Sequence, residues 1–293
     1  MNLTRLRYFV AVAEELHFGR AADRLHMAQP PLSQQIRQLE KEISTELFDR
    51  TTRRVELTAA GRTLYPEAVR LLRNADTVER LMAEHSDGET GVLRVGFVDS
   101  ASYAVMPQFL RAYRERWPRV RFELNTMSSE AQRVALAQGV IDIGIARTRG
   151  TEPGLSHTVI LEERLHVALS AGHPFADRPS VGLHELAGQS FISFSRSESP
   201  ALSSELHSML QQVGVDYAPV IEAEEYTTIV GLVAAGEGIA VVPESVRSFQ
   251  PERLVYVPIS DPAAAVRLML LTREDEQLQV VRHALELAAE RFD

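Results

Sequence analysis

The chain has 293 residues, room for two or three domains, in an ordinary globular composition of 45% hydrophobic and 24% charged residues. It has no apolar run near the roughly 18–20 residues of a membrane span and no signal-like apolar core after Met1; with no cysteine, disulfides, thiol chemistry and cysteine-ligated metals are excluded, and a cytoplasmic location is expected. The net charge of −9 disfavours nucleic acid until the chain is divided: residues 1–85 carry 13 Lys and Arg against 12 Asp and Glu, while residues 86–293 carry 18 against 28. A near-neutral segment can bind DNA if its cations share one face.

Three short helical periodicities open the chain. Leu3, Leu6, Phe9, Val10 and Ala13 predict a helix over about 4–15; Phe18, Ala21, Ala22 and Leu25 one over about 19–25; Leu32, Ile36, Leu39 and Ile43 one over about 31–42. Pro30 and Pro31 fit only the first turn of the third. The four residues from His26 to Gln29 make the tight connection of a helix-turn-helix. With Leu32, Ile36 and Leu39 turned inward, Ser33, Gln34, Arg37, Gln38 and Lys41 face outward, with side chains suited to base edges and phosphates. Such a face is also what a solvated helix would show. The segments 47–50 and 54–57 then read as a hairpin whose tip carries Arg50, Arg53 and Arg54, a basic wing.

The runs 6–15, 18–25 and 29–40, with Leu47-Phe48-Asp49-Arg50 and Leu57-Thr58-Ala59-Ala60-Gly61, resemble the LysR-type transcriptional regulators, and the likeness extends along essentially the whole chain. The resemblance implies that Gln29, Pro31, Ser33, Gln34 and Arg37 contact the DNA groove or its edges, and that Arg50 and Arg53 contact the backbone.

From Thr58, a suitable N-cap, a long helix is expected to about residue 84. Leu64, Ala68, Leu71, Ala75, Val78 and Met82 recur every 3.5 residues on average, a coiled-coil seam that would pair two DNA-binding heads. The same face could instead pack on its own chain, and Pro66 should bend or delay the helix. Residues 86–91 read as a hinge.

Strands and helices alternate in the remainder, as in an α/β domain with mostly parallel sheets. Strands are expected at 93–98, 120–124, 141–146, 165–170, 191–195, 220–223, 239–242 and 266–272, with helices ending near Trp117 and over 129–138, 201–213, 226–235 and 276–291. The fold class expected is therefore α+β multidomain: a winged helix-turn-helix (1–58), a linker and dimerisation helix with hinge (59–90), and a two-lobed effector domain of periplasmic-binding-protein type (91–293). Lobe I would take 91–161 and 267–293, and lobe II 162–266.

Ligands in open α/β sheets lie beyond the carboxyl ends of the strands. Asp99 to Ser102, Met127 to Ser129 and Arg147 to Arg149 occupy those places, with residues 195–202 as an opposing wall. Ser129 to Gln132 has capping-box form, so a helix N-terminus, serine hydroxyls and the Arg147 guanidinium would converge on an anion such as a carboxylate. Ser129 could equally serve only its helix, and Arg147 could pair with a nearby acid. The stretch 91–244 is similar to the muconate- and aromatic-catabolism-sensing subgroup, which implies effector contacts at Ser100, Ser129, Arg147 and Leu202. The likeness also implies dimers and tetramers on operator DNA, with RNA polymerase as a candidate partner.

Rival classes are an enzyme and a two-lobed solute-binding protein. Gly236-Glu237-Gly238 lacks the third glycine of a dinucleotide site, no serine lies in Gly-x-Ser-x-Gly, and His166 and His173 form no metal spacing. No catalytic activity, cofactor or metal is expected.

Overall fold

The computed structural model describes residues 2–50, 55–85, 90–148, 152–195 and 200–291. The chain divides into two compact units, Met1–His85 and Ser86–Asp293.

In the first unit α1 (Leu3–Glu15) is capped by Asn2, whose side chain accepts the Thr4 N–H at 2.8 Å. A short α2 (Phe18–Arg24) begins where the His17 imidazole accepts the Gly19 and Arg20 N–H groups. The third helix, α3 (Gln29–Ile43), takes Pro30 and Pro31 into its first turn, starting two residues ahead of the expected boundary. The hairpin β1 (Phe48–Arg50) and β2 (Val55–Leu57) pairs Phe48 with Leu57 in antiparallel register. Residues 51–54 of the expected wing, and the Arg50 side chain, lie outside the described residues. Leu6, Phe9, Val12, Ala21, Leu32, Ile36 and Leu39 form the core, and Phe48 brings its ring within 5.5 Å of Phe9 and 5.8 Å of Phe18.

Helix α4 (Ala59–His85) starts at the expected cap, where Thr58 Oγ1 accepts the Gly61 N–H at 3.0 Å. It is helical on both sides of Pro66. The seam expected from Leu64 to Met82 divides in two. Ala68 is 0% exposed in the core of its own head, and Leu64 packs against that core. Val78 and Met82, by contrast, are 57% and 58% exposed. A period near 3.5 marks a face that is buried without saying by which chain, and α1 already covers the first turns of α4.

The second unit is built on β3 (Gly91–Phe97), α5 (Val105–Arg116), β4 (Val120–Thr126), α6 (Ser129–Gln138) and β5 (Ile143–Ala146). A long strand, β6 (Leu155–Ser170), leads to β7 (Phe191–Phe194), α7 (Pro200–Gln212), β8 (Pro219–Ala223), α8 (Tyr226–Ala235), β9 (Ala240–Pro243) and β10 (Leu254–Pro258). The chain returns through β11 (Ala265–Arg273) to α9 (Gln279–Arg291). The main sheet has the order β10-β6-β11-β5-β3-β4, with β9 also on β6, and β7 pairs with β8 separately.

This sheet is more antiparallel than expected. Only β3–β4, β3–β5 and β7–β8 run parallel among the named pairs, while β11 pairs antiparallel with β5 and β6, and β6 with β9 and β10. The reason is β6, which runs unbroken through the expected lobe boundary at 161/162 and joins both halves against the returning β11. The expected strand took only 165–170; the three charged residues Glu162, Glu163 and Arg164 separate it in the sequence from the apolar run Val159-Ile160-Leu161, which the same strand includes. The strand β10 was likewise not expected.

Candidate functional site

On α3 the buried positions are Leu32, Ile36 and Leu39, and this places Pro31, Gln34, Arg37, Gln38 and Lys41 on the exposed side with Ser33 half-buried. Gln29, at the start of the helix, is exposed as well. Pro30, Pro31, Gln34, Arg37, Gln38 and Lys41 line a shallow groove. Neither Arg37 nor Lys41 has an ion-pair partner among the described residues, whereas Arg5, Arg20 and Arg24 are tied to Glu42, Glu15 and Glu14. The two acids on this helix are engaged elsewhere: Glu42 pairs with Arg5, and Glu40 accepts the Leu47 and Phe48 N–H groups at 3.0 and 3.3 Å. That bond holds the start of the hairpin to α3 and removes a carboxylate that would repel phosphate. Nothing in the spacing of Glu40 distinguishes it from a solvated glutamate.

In the second unit, a cavity of about 400 Å³ opens at the carboxyl ends of β3 and β5. Ser100, Ser129 and Arg147 all line it, as do Asp99, Met127, Phe194, Glu225 and Tyr226. The side chain of Leu202 and the wall residues 196–199 lie outside what is described. Arg147 leaves the end of β5 with its side chain only 5% exposed. Its Nε donates to Ser100 Oγ at 3.2 Å, and its Nη2 donates to Glu163 at 2.7 Å. Its Nη1 is buried and has no hydrogen-bond partner among the described residues.

Ser129 does not cap its helix. Ser128 does, accepting the Ala131 N–H at 3.2 Å, while Ser129 Oγ accepts the backbone N–H of Arg147 at 3.1 Å. The cap therefore lies one residue earlier than expected, and with Ala131 at the third helical position it is a simple N-cap in place of a capping box; the shift leaves Ser129 to fix the base of the arginine.

Two further residues position this site. Glycines stand in register at Gly96 and Gly144 on adjoining strands, and a Cβ at either would meet Gln132 at 3.2 or 2.9 Å. Gln132 lies buried on that flat surface and donates to the carbonyls of Met127 and Ile145 at 3.1 and 3.2 Å, tying α6 to the mouth of β5. Glu163, on β6, accepts both Arg147 and the Ser245 N–H, the latter at 2.9 Å. Sequence reasoning missed both; the paired glycines were a usable signal for Gln132, and Glu163 had none.

Electrostatics at the mouth are set by burial. Asp99 accepts the Tyr226 N–H at 3.2 Å, at the start of α8, yet desolvation raises its carboxyl above the ordinary range and the charge of Glu225 adds to the rise. The buried Tyr226 phenol is raised further, again by desolvation, and its hydroxyl has no partner among the described residues. No group of three or more His, Cys, Asp or Glu could hold a metal among the described residues; His173 instead meets Gln189 at 3.1 Å.

A family model for the bacterial regulatory helix-turn-helix of the LysR family matches residues 3–62, and one for the LysR substrate binding domain matches residues 86–293. The HTH-type transcriptional regulator BenM of Acinetobacter baylyi is 37% identical over 279 residues, 94% of this chain and 91% of that protein. A crystal structure of full-length CbnR complexed with its target DNA superposes with a TM-score of 0.73 at 26% identity, covering 99% of this chain and all of that one. The BenM effector binding domain with its effector benzoate matches at a TM-score of 0.62 and 33% identity, over 68% of this chain and 90% of that one.

Proposed function

The chain belongs to the LysR family of transcriptional regulators, and on that premise we propose that its operator binding is set by a small carboxylate held against Arg147. The observation that carries this reading is the buried Arg147 Nη1, a cationic donor without a partner among the described residues, at a cavity beside the Ser100 and Ser129 hydroxyls. A buried, unpaired donor costs free energy unless something completes it, and a carboxylate oxygen does so with a charge-assisted bond. Benzoate in the related effector domain makes aromatic acids, with muconate-like acids, the first probes of the Arg147 end of the cavity. The likeness of residues 91–244 to the aromatic-catabolism-sensing subgroup assigns Leu202 to the same effector site.

The head reads DNA through α3. Gln29, Pro31, Ser33, Gln34 and Arg37 meet the major groove, and Arg50 and Arg53 the flanking phosphates. Two heads are joined along the outer part of α4 by Leu71, Ala75, Val78 and Met82, and two such dimers make the tetramer. The protein works in the cytoplasm on double-stranded operator DNA. Effector binding shifts a pre-existing equilibrium between lobe arrangements, a coupling of about 1–3 kcal/mol in typical cases.

Titration calorimetry of the full chain with benzoate and with cis,cis-muconate tests this, wild type against Arg147→Lys. Lysine keeps the charge opposite Glu163 but loses the fork, so carboxylate binding should weaken at least tenfold. Equal affinity in the two proteins would remove Arg147 from the site.

A further inference from the structure

Among the described residues, carboxylates outnumber cations around the cavity. Asp99, Glu130, Glu152, Glu224 and Glu225 stand on its wall, and Arg147 is the one guanidinium there among the described residues. That guanidinium is already matched by Glu163. Arg133 engages both Glu130 and Glu152, the latter at 3.4 Å. Asp99, Glu224 and Glu225 are left with no opposing cation among the described residues. Asp99 has donors, the Tyr226 N–H and the Tyr103 phenol, but both are neutral. A second carboxylate brought to this end would face like charge in a partly desolvated space.

Two observations independent of the acids say that a ligand belongs here. Arg147 Nη1 and the Tyr226 hydroxyl are both buried, both without a partner among the described residues, and both on residues of this cavity. Among the described residues the acids do not group closely enough to hold a metal ion, and an organic cation suits them better.

We infer that the effector is a zwitterion: its carboxylate meets Arg147, its apolar body lies along Met127, Phe194 and Leu271, and an ammonium group meets Asp99 and Glu225. The inference rests on the carboxylate reading above and adds the charge of the far end. It makes the chemical class an amino-substituted acid, with the nitrogen protonated at neutral pH, in place of a plain aromatic acid or a dicarboxylate.

The test uses probes of one shape and three charges on the full-length protein: 3- and 4-(aminomethyl)benzoate, isophthalate and terephthalate, and 3- and 4-methylbenzoate. Calorimetry should show an aminomethylbenzoate binding at least tenfold tighter than the dicarboxylate of the same geometry, with the methylbenzoates between them. In the double variant Asp99→Asn, Glu225→Gln that preference should vanish, mainly through tighter binding of the dicarboxylates relative to the aminomethyl compounds. A wild-type protein that binds the dicarboxylates as well as the aminomethyl acids overturns the inference, and so does a preference that survives the double variant. In either of those cases loss of methylbenzoate binding in Arg147→Lys would leave the carboxylate reading standing. Binding of none of the six at millimolar concentration overturns both.

Discussion

Glu163 accepts the Nη2 of Arg147 at 2.7 Å, and each side chain is only 5% exposed. The pair joins the end of β5 to the long strand β6, and the other Glu163 oxygen reaches the Ser245 N–H. The Coulomb gain of a buried pair is offset by desolvation, so the pair adds little net stability while intact; removing one member is costly. Glu163→Ala should therefore destabilise the second unit by about 3–5 kcal/mol, and Glu163→Gln by less. Urea unfolding of the full chain, followed through the transition of that unit, measures both; a loss below about 1 kcal/mol for Glu163→Ala would mean that Arg147 finds water instead.

Asp99 gives a pH dependence of definite sign. Its folded carboxyl is raised by desolvation first and by Glu225 next, against the opposing bonds from Tyr226 and Tyr103. A group raised in the fold binds its proton more tightly there than in the unfolded chain, where the value is about 3.9. Stability is thus lost as pH rises from about 4 through the raised value. Asp99→Asn keeps an acceptor for the Tyr226 N–H and should raise the melting temperature at pH 7. The gain should disappear near pH 3; a gain constant with pH would contradict the charge argument.

Gly61 lies where the head has no space. A Cβ there would stand 2.2 Å from the Leu47 carbonyl oxygen and 2.8 Å from Leu57 Cδ2, both parts of the hairpin and its approach. Backbone cannot move aside as a side-chain tip can, so Gly61→Ala should cost about 1–3 kcal/mol or more of head stability. Thermal unfolding of the full chain checks this, with loss of the first transition at lower temperature as the expected result.

For DNA binding, Arg53→Ala should weaken binding similarly on all sequences and lower the salt slope by about 1. Gln34→Ala should instead reduce discrimination between operator and mutated operators by about 1–3 kcal/mol. Gel shifts at several salt concentrations separate the two patterns. An Arg53→Ala protein with unchanged affinity would take the wing off the backbone.

The two ends of α4 should respond differently. Val78→Asp places a charge on an exposed apolar position and should shift sedimentation toward the monomer, leaving head stability within about 0.5 kcal/mol. Ala68→Leu overfills the head core and should cost about 1–3 kcal/mol there. A Val78→Asp protein that remains fully associated would move the dimer contact elsewhere.

Local pattern by itself determined the elements whose burial is periodic. The helices α6 and α8 have the expected bounds, and Leu32, Ile36 and Leu39 of α3 are buried as their spacing requires. It also brought Ser100, Ser129 and Arg147 to one place, because parallel strands end together and their following residues must converge. Tertiary structure decided what depends on a partner remote in sequence. Ser129 turned from a cap into a brace because Arg147, eighteen residues on, presents its N–H there. Glu40 and Glu163 look like surface acids until Leu47 and Arg147 are placed beside them. Ala68 fits a coiled-coil seam until α1 covers it. Periodicity reports which face of an element is desolvated, a local property of the chain; which group does the desolvating, and which charge is left unmatched, is fixed only when distant segments meet.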